Sequence, residues 1–184
     1  MAAGPRRGGQ RVVSVVLVGP RGAGKSTLAP PLAERLGWDA ADTDLQIAER
    51  VGRPAWQLLG EAGEAEFRRV ETAVVGAALR ANRRRVLALG GGAVLAPSTR
   101  RELVDGGHFV VFLCAPVAVL VERQVAGPPR PRLTERPVAE EVAHLLALRL
   151  PLYRAVCDLT LDTFSSNIHT CLASILANMG GHGE

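Results

Sequence analysis

At 184 residues, with 47% hydrophobic and 22% charged side chains, the chain has ordinary globular composition and is long enough for one domain with a full core. The formal charge of +4 raises nucleic acid as a partner, but the arginines are spread along the chain and no basic block is longer than Arg83-Arg84-Arg85, so nucleic acid is excluded and small phosphates and carboxylates suit the charge better. No uninterrupted apolar stretch approaches the roughly 18 residues of a membrane helix, so no transmembrane helix is expected.

Three cysteines, Cys114, Cys157 and Cys171, show no C-x-x-C spacing, and their odd number points to reduced thiols and a cytoplasmic location. The four histidines show no metal-ligand spacing. Aromatic residues make up only 4% of the chain, so the core must rest on Val, Leu and Ala.

In chain order, residues 1–10 are rich in Gly, Arg and Pro and read as a disordered tail, with a single domain over 11–179 and a frayed end at 180–184. Residues 12–18 form a continuous apolar run, as expected of a strand buried on both faces of a parallel sheet. The next nine residues, G-P-R-G-A-G-K-S-T at 19–27, fit G-x-x-x-x-G-K-[ST], a P-loop. A helix is expected from Gly24 to about Leu36, kinked or tightened by Pro30-Pro31 and stopped by Gly37. A short strand over 38–41 should lead into Asp42-Thr43-Asp44, followed by a helix to Val51. Two separate helices are expected over 55–59 and 64–81.

A third strand over 86–89 should end in Gly90-Gly91-Gly92. A helix over 98–104, a strand over 108–113 and a helix over 116–123 follow. The Pro- and Arg-rich stretch 125–137 reads as an irregular surface excursion, a mobile lid of about 124–137. The last elements are a helix over 138–155 interrupted at Pro151, a strand over 156–161 and a helix over 165–179. This alternation predicts an α/β fold: a three-layer α/β/α sandwich around a parallel sheet, with ligands beyond the carboxyl ends of the strands.

Several stretches carry chemistry. Backbone N–H groups of Gly22, Ala23, Gly24, Lys25, Ser26 and Thr27 are expected to face the phosphates of a nucleotide, with Lys25 bridging the terminal two and Ser26 ligating Mg²⁺. Lys25 is the only lysine among 22 Lys and Arg residues. A compact ammonium fits a ring of backbone amides in a way that a planar guanidinium does not.

Of Asp42 and Asp44, one could hold a water of a Mg²⁺ shell and the other accept the proton of an attacking hydroxyl. The competing reading is helix capping by Thr43 or Asp44. Arg68 and Glu71, at i and i+3, are either a guanidinium aimed by its carboxylate or a solvated surface pair. Gly90, Gly91 and Gly92 allow close backbone approach or simply turn the chain. Arg130 is a lid cation or a surface-loop arginine. Arg149 faces the cleft or compensates a helix end.

Taken together, these residues resemble the shikimate kinase family. The resemblance covers about 12–163 and rests on the P-loop, D-T-D, G-E-A-E-F-R-R-V-E at 63–71, L-G-G-G-A-V at 89–94, R-P-R-L at 130–133 and R-L-P-L-Y at 149–153. It implies a P-loop kinase of the nucleoside monophosphate kinase fold with a five-stranded parallel sheet in the order 2-3-1-4-5, transferring the γ-phosphoryl of ATP to the 3-hydroxyl of shikimate. Carried over to this chain, Asp44, Arg68, Gly91, Gly92 and Arg149 would bind shikimate. Asp44 would be the base and Glu71 would orient Arg68. Asp42 would lie by Mg²⁺, Arg130 would be the lid arginine, and Arg123 would lie by the adenine.

The chain departs from the family pattern in four places. Leucine stands at 58 and 59 where an aromatic is usual, Arg132 replaces a leucine of the lid, Ala29-Pro30-Pro31 alters the first helix, and 161–166 lacks an arginine. The expectation is a monomeric, cytoplasmic, Mg·ATP-dependent kinase. Its rivals are a gluconate-type sugar-acid kinase and a non-catalytic nucleotide-dependent regulator, the latter opposed by the intact Lys25, Asp42, Asp44 and Arg130.

Overall fold

The computed structural model describes residues 12–81, 83–127 and 136–180. The tail 1–10, residues 128–135 of the expected lid and residues 181–184 lie outside them.

Among the described residues five strands form one sheet: β1 (Val15–Val18), β2 (Asp39–Asp42), β3 (Arg85–Ala88), β4 (Phe109–Cys114) and β5 (Leu159–Asp162). Every pairing is parallel and the order is β2-β3-β1-β4-β5, as the resemblance implied. β1 is central and wholly buried because Val and Leu fill both of its faces. Since successive side chains alternate, Val15 and Leu17 enter one core and Val16 and Val18 the other. The edge strands β2 and β5 are only partly covered.

Seven helices of the described residues cover the sheet: α1 (Lys25–Leu36), α2 (Thr43–Val51), α3 (Ala55–Arg80), α4 (Pro97–Asp105), α5 (Val117–Ala126), α6 (Val138–Val156) and α7 (Ile168–Gly180). Leu28 and Leu32 of α1, Leu120 of α5 and Ile175 of α7 pack on one face. Val75 and Leu79 of α3, Leu103 of α4 and Tyr153 of α6 pack on the other. A third apolar cluster, Ile47, Leu58, Phe67, Val70 and Val74, ties α2 to α3. The three layers are those read from the sequence.

Several expectations need correction. β1 starts at Val15, although Val13 and Ser14 still hydrogen-bond to Gly107 and Phe109. β5 starts at Leu159, because α6 runs on to Val156 and takes the first residue assigned to the strand. α6 also passes unbroken through Pro151. Pro151 and Ala147, whose carbonyl the missing N–H would have met, are both exposed, so water can serve that carbonyl. A single 3₁₀ turn over Ala93–Leu95, not anticipated, follows the triple glycine.

The two helices expected over 55–59 and 64–81 are two halves of α3, separated by a break at Gly63 with φ 81 and ψ 169. That region of backbone space is essentially reserved for glycine. Nothing lies within 4 Å of the place a Cβ would take at Gly63, so space is available and conformation alone is limiting. Gly63→Ala is expected to lose about 1–3 kcal/mol of stability through backbone strain, measured by urea denaturation; an unchanged midpoint would show that the break does not need glycine.

Candidate active site

The loop after β1 turns on Gly22 and Gly24, at φ 83 and 89, and feeds directly into the first turn of α1. Lys25 is buried, and its Nζ donates to the carbonyls of Gly19 (2.8 Å) and Pro20 (2.9 Å). Within the loop the Ala23 N–H donates to Pro20 and the Thr27 N–H to Gly24, while Ala23 is fully buried. Two side chains of α5 tie this loop down. Arg123 donates to the Gly22 carbonyl and to both the hydroxyl and the carbonyl of Thr163, and Gln124 donates to the Arg21 carbonyl.

Asp42 ends β2 and divides its carboxylate between two tasks. Oδ1 accepts from the Asp44 N–H (2.9 Å) and so caps α2, while Oδ2 accepts from the Ser26 hydroxyl (2.6 Å). The cap is therefore Asp42, not Thr43 or Asp44 as weighed from the sequence. Thr43 is buried and bridges strand ends: its hydroxyl donates to the Ala88 carbonyl and accepts from the Gly90 N–H.

The Ser26–Asp42 pair brings two hard oxygen donors to one point. Among the described residues no group of three or more His, Cys, Asp or Glu could hold a metal ion by itself. This donor set fits Mg²⁺, which uses one or two protein oxygens and takes the rest from phosphates and water.

The triple glycine is explained by volume. None of the three has a positive φ. A Cβ at Gly90 would lie 2.7 Å from Asp44 Oδ1 and 3.1 Å from Glu71 Oε1. One at Gly91 would meet the P-loop backbone at ordinary contact distance, 3.4 Å from the Arg21 nitrogen and the Gly19 oxygen. One at Gly92 would run into the Arg68 guanidinium. The missing side chains at Gly90 and Gly92 thus make room for Asp44 and Arg68.

Arg68 Nη1 donates to Glu71 Oε2 at 2.6 Å, with Glu64 3.4 Å away on the other side. Glu71 is only 3% exposed, so the pair is no solvated surface bridge. Burial pushes the Glu71 carboxyl above its usual range, opposed by the nearby Arg68 and Arg149 charges and helped by Asp44.

Arg149 is buried on α6 and hydrogen-bonds the Tyr153 hydroxyl one turn on. That hydroxyl donates to the Gly91 carbonyl at 2.6 Å, and the ring stacks on Phe112 with centroids 5.0 Å apart. Burial raises the Tyr153 pKa to about 12, so the hydroxyl remains a donor throughout the physiological range. Sequence reasoning assigned Tyr153 no role; the available signal was that the chain's single tyrosine follows Arg149 at i+4.

One cleft of about 1170 Å³ joins these parts. Gly22, Gly24, Lys25, Ser26, Thr27, Arg123 and Asp42 line it together with Asp44, Arg68, Gly91, Gly92 and Arg149. Ala23 is buried behind it, and Arg130 lies outside the described residues, as does Arg132. Trp56 and Arg53, not singled out from the sequence, also line the cleft.

A family model described as "Shikimate kinase" matches residues 21–179. The chain belongs to the shikimate kinase family. The shikimate kinase of Mycobacterium tuberculosis (strain ATCC 25177 / H37Ra) is 43% identical over 164 residues, covering 89% of this chain and 92% of that one. That of Mycobacterium leprae (strain TN) is 38% identical over 164 residues, covering 89% and 81%. Among solved structures, shikimate kinase from Acinetobacter baumannii in complex with shikimate superposes with a TM-score of 0.83 at 33% identity, covering 91% of this chain and 92% of that one. The fold, the sheet order and the P-loop of this family member thus agree with the sequence reading.

The raised Glu71 pKa has a consequence for stability. The folded state binds a proton at Glu71 more readily than the unfolded chain does, so protonation favours folding. As pH falls from neutral towards the ordinary carboxylate range, the wild type is expected to gain stability relative to Glu71→Gln, and to lose that gain as pH rises. Urea midpoints of the two proteins across pH 7 to 5 (about the window set by a raised carboxyl) check this; a pH-independent difference would contradict it.

Proposed function

We propose that the protein is a shikimate kinase, transferring the γ-phosphoryl of ATP to the 3-hydroxyl of shikimate to give shikimate 3-phosphate and ADP. The observation that carries the reading is the buried Arg68–Glu71 pair with Arg149 in the same cleft as a P-loop. Two guanidinium groups suit the carboxylate of a small acid, and the P-loop suits the nucleotide that phosphorylates it. Family membership and the shikimate-bound relative support the same assignment.

In this mechanism the amides and Lys25 of the P-loop hold the ATP phosphates, and Arg123 lies beside the adenine. Ser26 and Asp42 hold Mg²⁺, which when bound neutralises charge on the nucleotide phosphates. Arg68 and Arg149 grip the shikimate carboxylate, and Glu71 fixes the Arg68 fork. Asp44 accepts the proton of the 3-hydroxyl as its oxygen attacks the γ-phosphorus and the bond to the ADP oxygen breaks. Catalysis is alignment and charge stabilisation, since phosphoryl transfer needs little covalent help. No helix of the described residues is long and apolar enough to cross a membrane; a cytoplasmic location accords with that and with three free cysteines.

A coupled ADP-release assay with shikimate, gluconate and nucleoside monophosphates tests the assignment. Turnover with shikimate is expected; turnover with gluconate and none with shikimate would overturn it. Lys25→Ala should lower kcat by about 10²–10³-fold, as loss of a charge-stabilising donor does. Arg68→Ala should raise the KM for shikimate about 10–100-fold with ATP binding near normal, the scale of charge-assisted hydrogen bonds. Gly92→Ala displaces the same guanidinium without touching the core. It should raise the shikimate KM about tenfold and, by drawing Arg68 away from the buried Glu71, lower the melting temperature as well, measured by steady-state kinetics beside thermal melting.

A further inference from the structure

We propose that Tyr153 is the positioning residue for Arg149, aiming its guanidinium at the carboxylate of the acceptor as Glu71 aims that of Arg68. This rests on the shikimate reading above. Arg149 and Tyr153 stand at i and i+4 on α6 and so share one face of that helix. Arg149 lines the cleft, whereas Tyr153 lies behind it, fully buried in the apolar cluster over β4. Arg68 and Glu71 stand at i and i+3 on α3. Both arginines thus have a partner one turn further along their own helix.

The hydroxyl permits one arrangement only. A tyrosine O–H has a single proton to give and accepts through its oxygen. The proton goes to the Gly91 carbonyl at 2.6 Å. The hydrogen bond with Arg149 therefore runs from the guanidinium to the phenolic oxygen. The ring cannot swing away, because it stacks on Phe112 with an interplanar angle of 17° and has no exposed surface. A phenylalanine would serve that stack equally well. A hydroxyl taken out of water costs free energy unless it is bonded. What the hydroxyl adds to the ring is its two bonds, one anchoring it to the backbone of the glycine turn and one fixing the direction of a side chain rich in rotamers.

The two orienting groups differ in charge. Glu71 holds Arg68 with a carboxylate and offsets part of its charge. Tyr153 holds Arg149 with a neutral oxygen, so direction is fixed without neutralising the guanidinium. An arginine held in this way keeps its attraction for an anion and has little left to order when the anion arrives. The charges of Arg68 and Glu71 reach the Tyr153 hydroxyl, and that of Arg149 reaches Glu71, so both pairs act on one part of the site. Arg149 is the member whose hold on a ligand depends on geometry supplied by a buried, uncharged neighbour.

Tyr153→Phe in the full-length protein keeps the ring and removes both bonds. It should raise the shikimate KM roughly fivefold, the scale of one hydrogen bond, with kcat and the KM for ATP within about twofold. The Gly91 carbonyl then loses its partner and the melting temperature falls as well, so two further measurements separate aiming from loosening. Val156→Ala cuts into the same apolar cluster from the same helix. It should lower the melting temperature and leave the shikimate KM within about twofold of the wild type. In an Arg149→Ala background, kcat/KM for shikimate should no longer respond to Tyr153→Phe, because the side chain that the hydroxyl aims is gone. An unchanged shikimate KM in Tyr153→Phe, an equal rise in Val156→Ala, or an undiminished effect of Tyr153→Phe beside Arg149→Ala overturns this inference while leaving the kinase reading intact. Failure of the wild type to phosphorylate shikimate overturns both.

Discussion

Glu71 brings a carboxylate into a site where almost no water reaches it, and the 2.6 Å bond from Arg68 is its principal compensation. An ion pair of this kind costs several kcal/mol to desolvate and survives only with good geometry on both partners. The surroundings are arranged around that requirement. Gly90 leaves out the Cβ that would crowd Glu71 and Asp44, and Gly92 leaves out the one that would displace Arg68. Tyr153 holds the turn between them by its bond to the Gly91 carbonyl, and its raised pKa keeps that bond in place. The acceptor end of the cleft is thus a packed assembly in which the charge of one residue dictates the absent side chains of two others.

The nucleotide end is built by a different device. Its glycines are selected by dihedral angle, since Gly22 and Gly24 have positive φ. The loop is internally bonded, with Lys25 drawn onto the carbonyls of Gly19 and Pro20. α5 anchors it from outside through Arg123 and Gln124. This end is built on backbone shape, and the other on buried side-chain charge.

This contrast explains what could be read in advance. The P-loop was legible because its function lies in local conformation, which glycine spacing records directly. β1 was legible because both of its faces are apolar, and the ends of β2 and β3 were marked by Asp42 and Gly90. Proline was less informative: Pro30, Pro31 and Pro151 all sit within continuous helices. A local break signal yields when the orphaned carbonyl is open to water. The contacts of Tyr153 with Gly91 and Phe112 join residues more than 40 positions apart (62 for the hydroxyl bond), and no local pattern encodes them. Likewise the purpose of Gly90 and Gly92 was hidden, because what excludes a side chain there is Asp44 and Arg68, both remote in sequence.

The break at Gly63 divides α3 into two axes. Upstream of it lie Trp56 and Leu59, which line one part of the cleft; downstream lie Arg68 and the Glu71 carboxylate that holds its guanidinium. A substitution in the upstream half therefore reaches the guanidinium by packing and not along a continuous helix, because Leu58 shares an apolar cluster with Phe67 and Val70, the residues that flank Arg68. The break lets the two half-helices take different directions, and the cluster keeps them in register with each other.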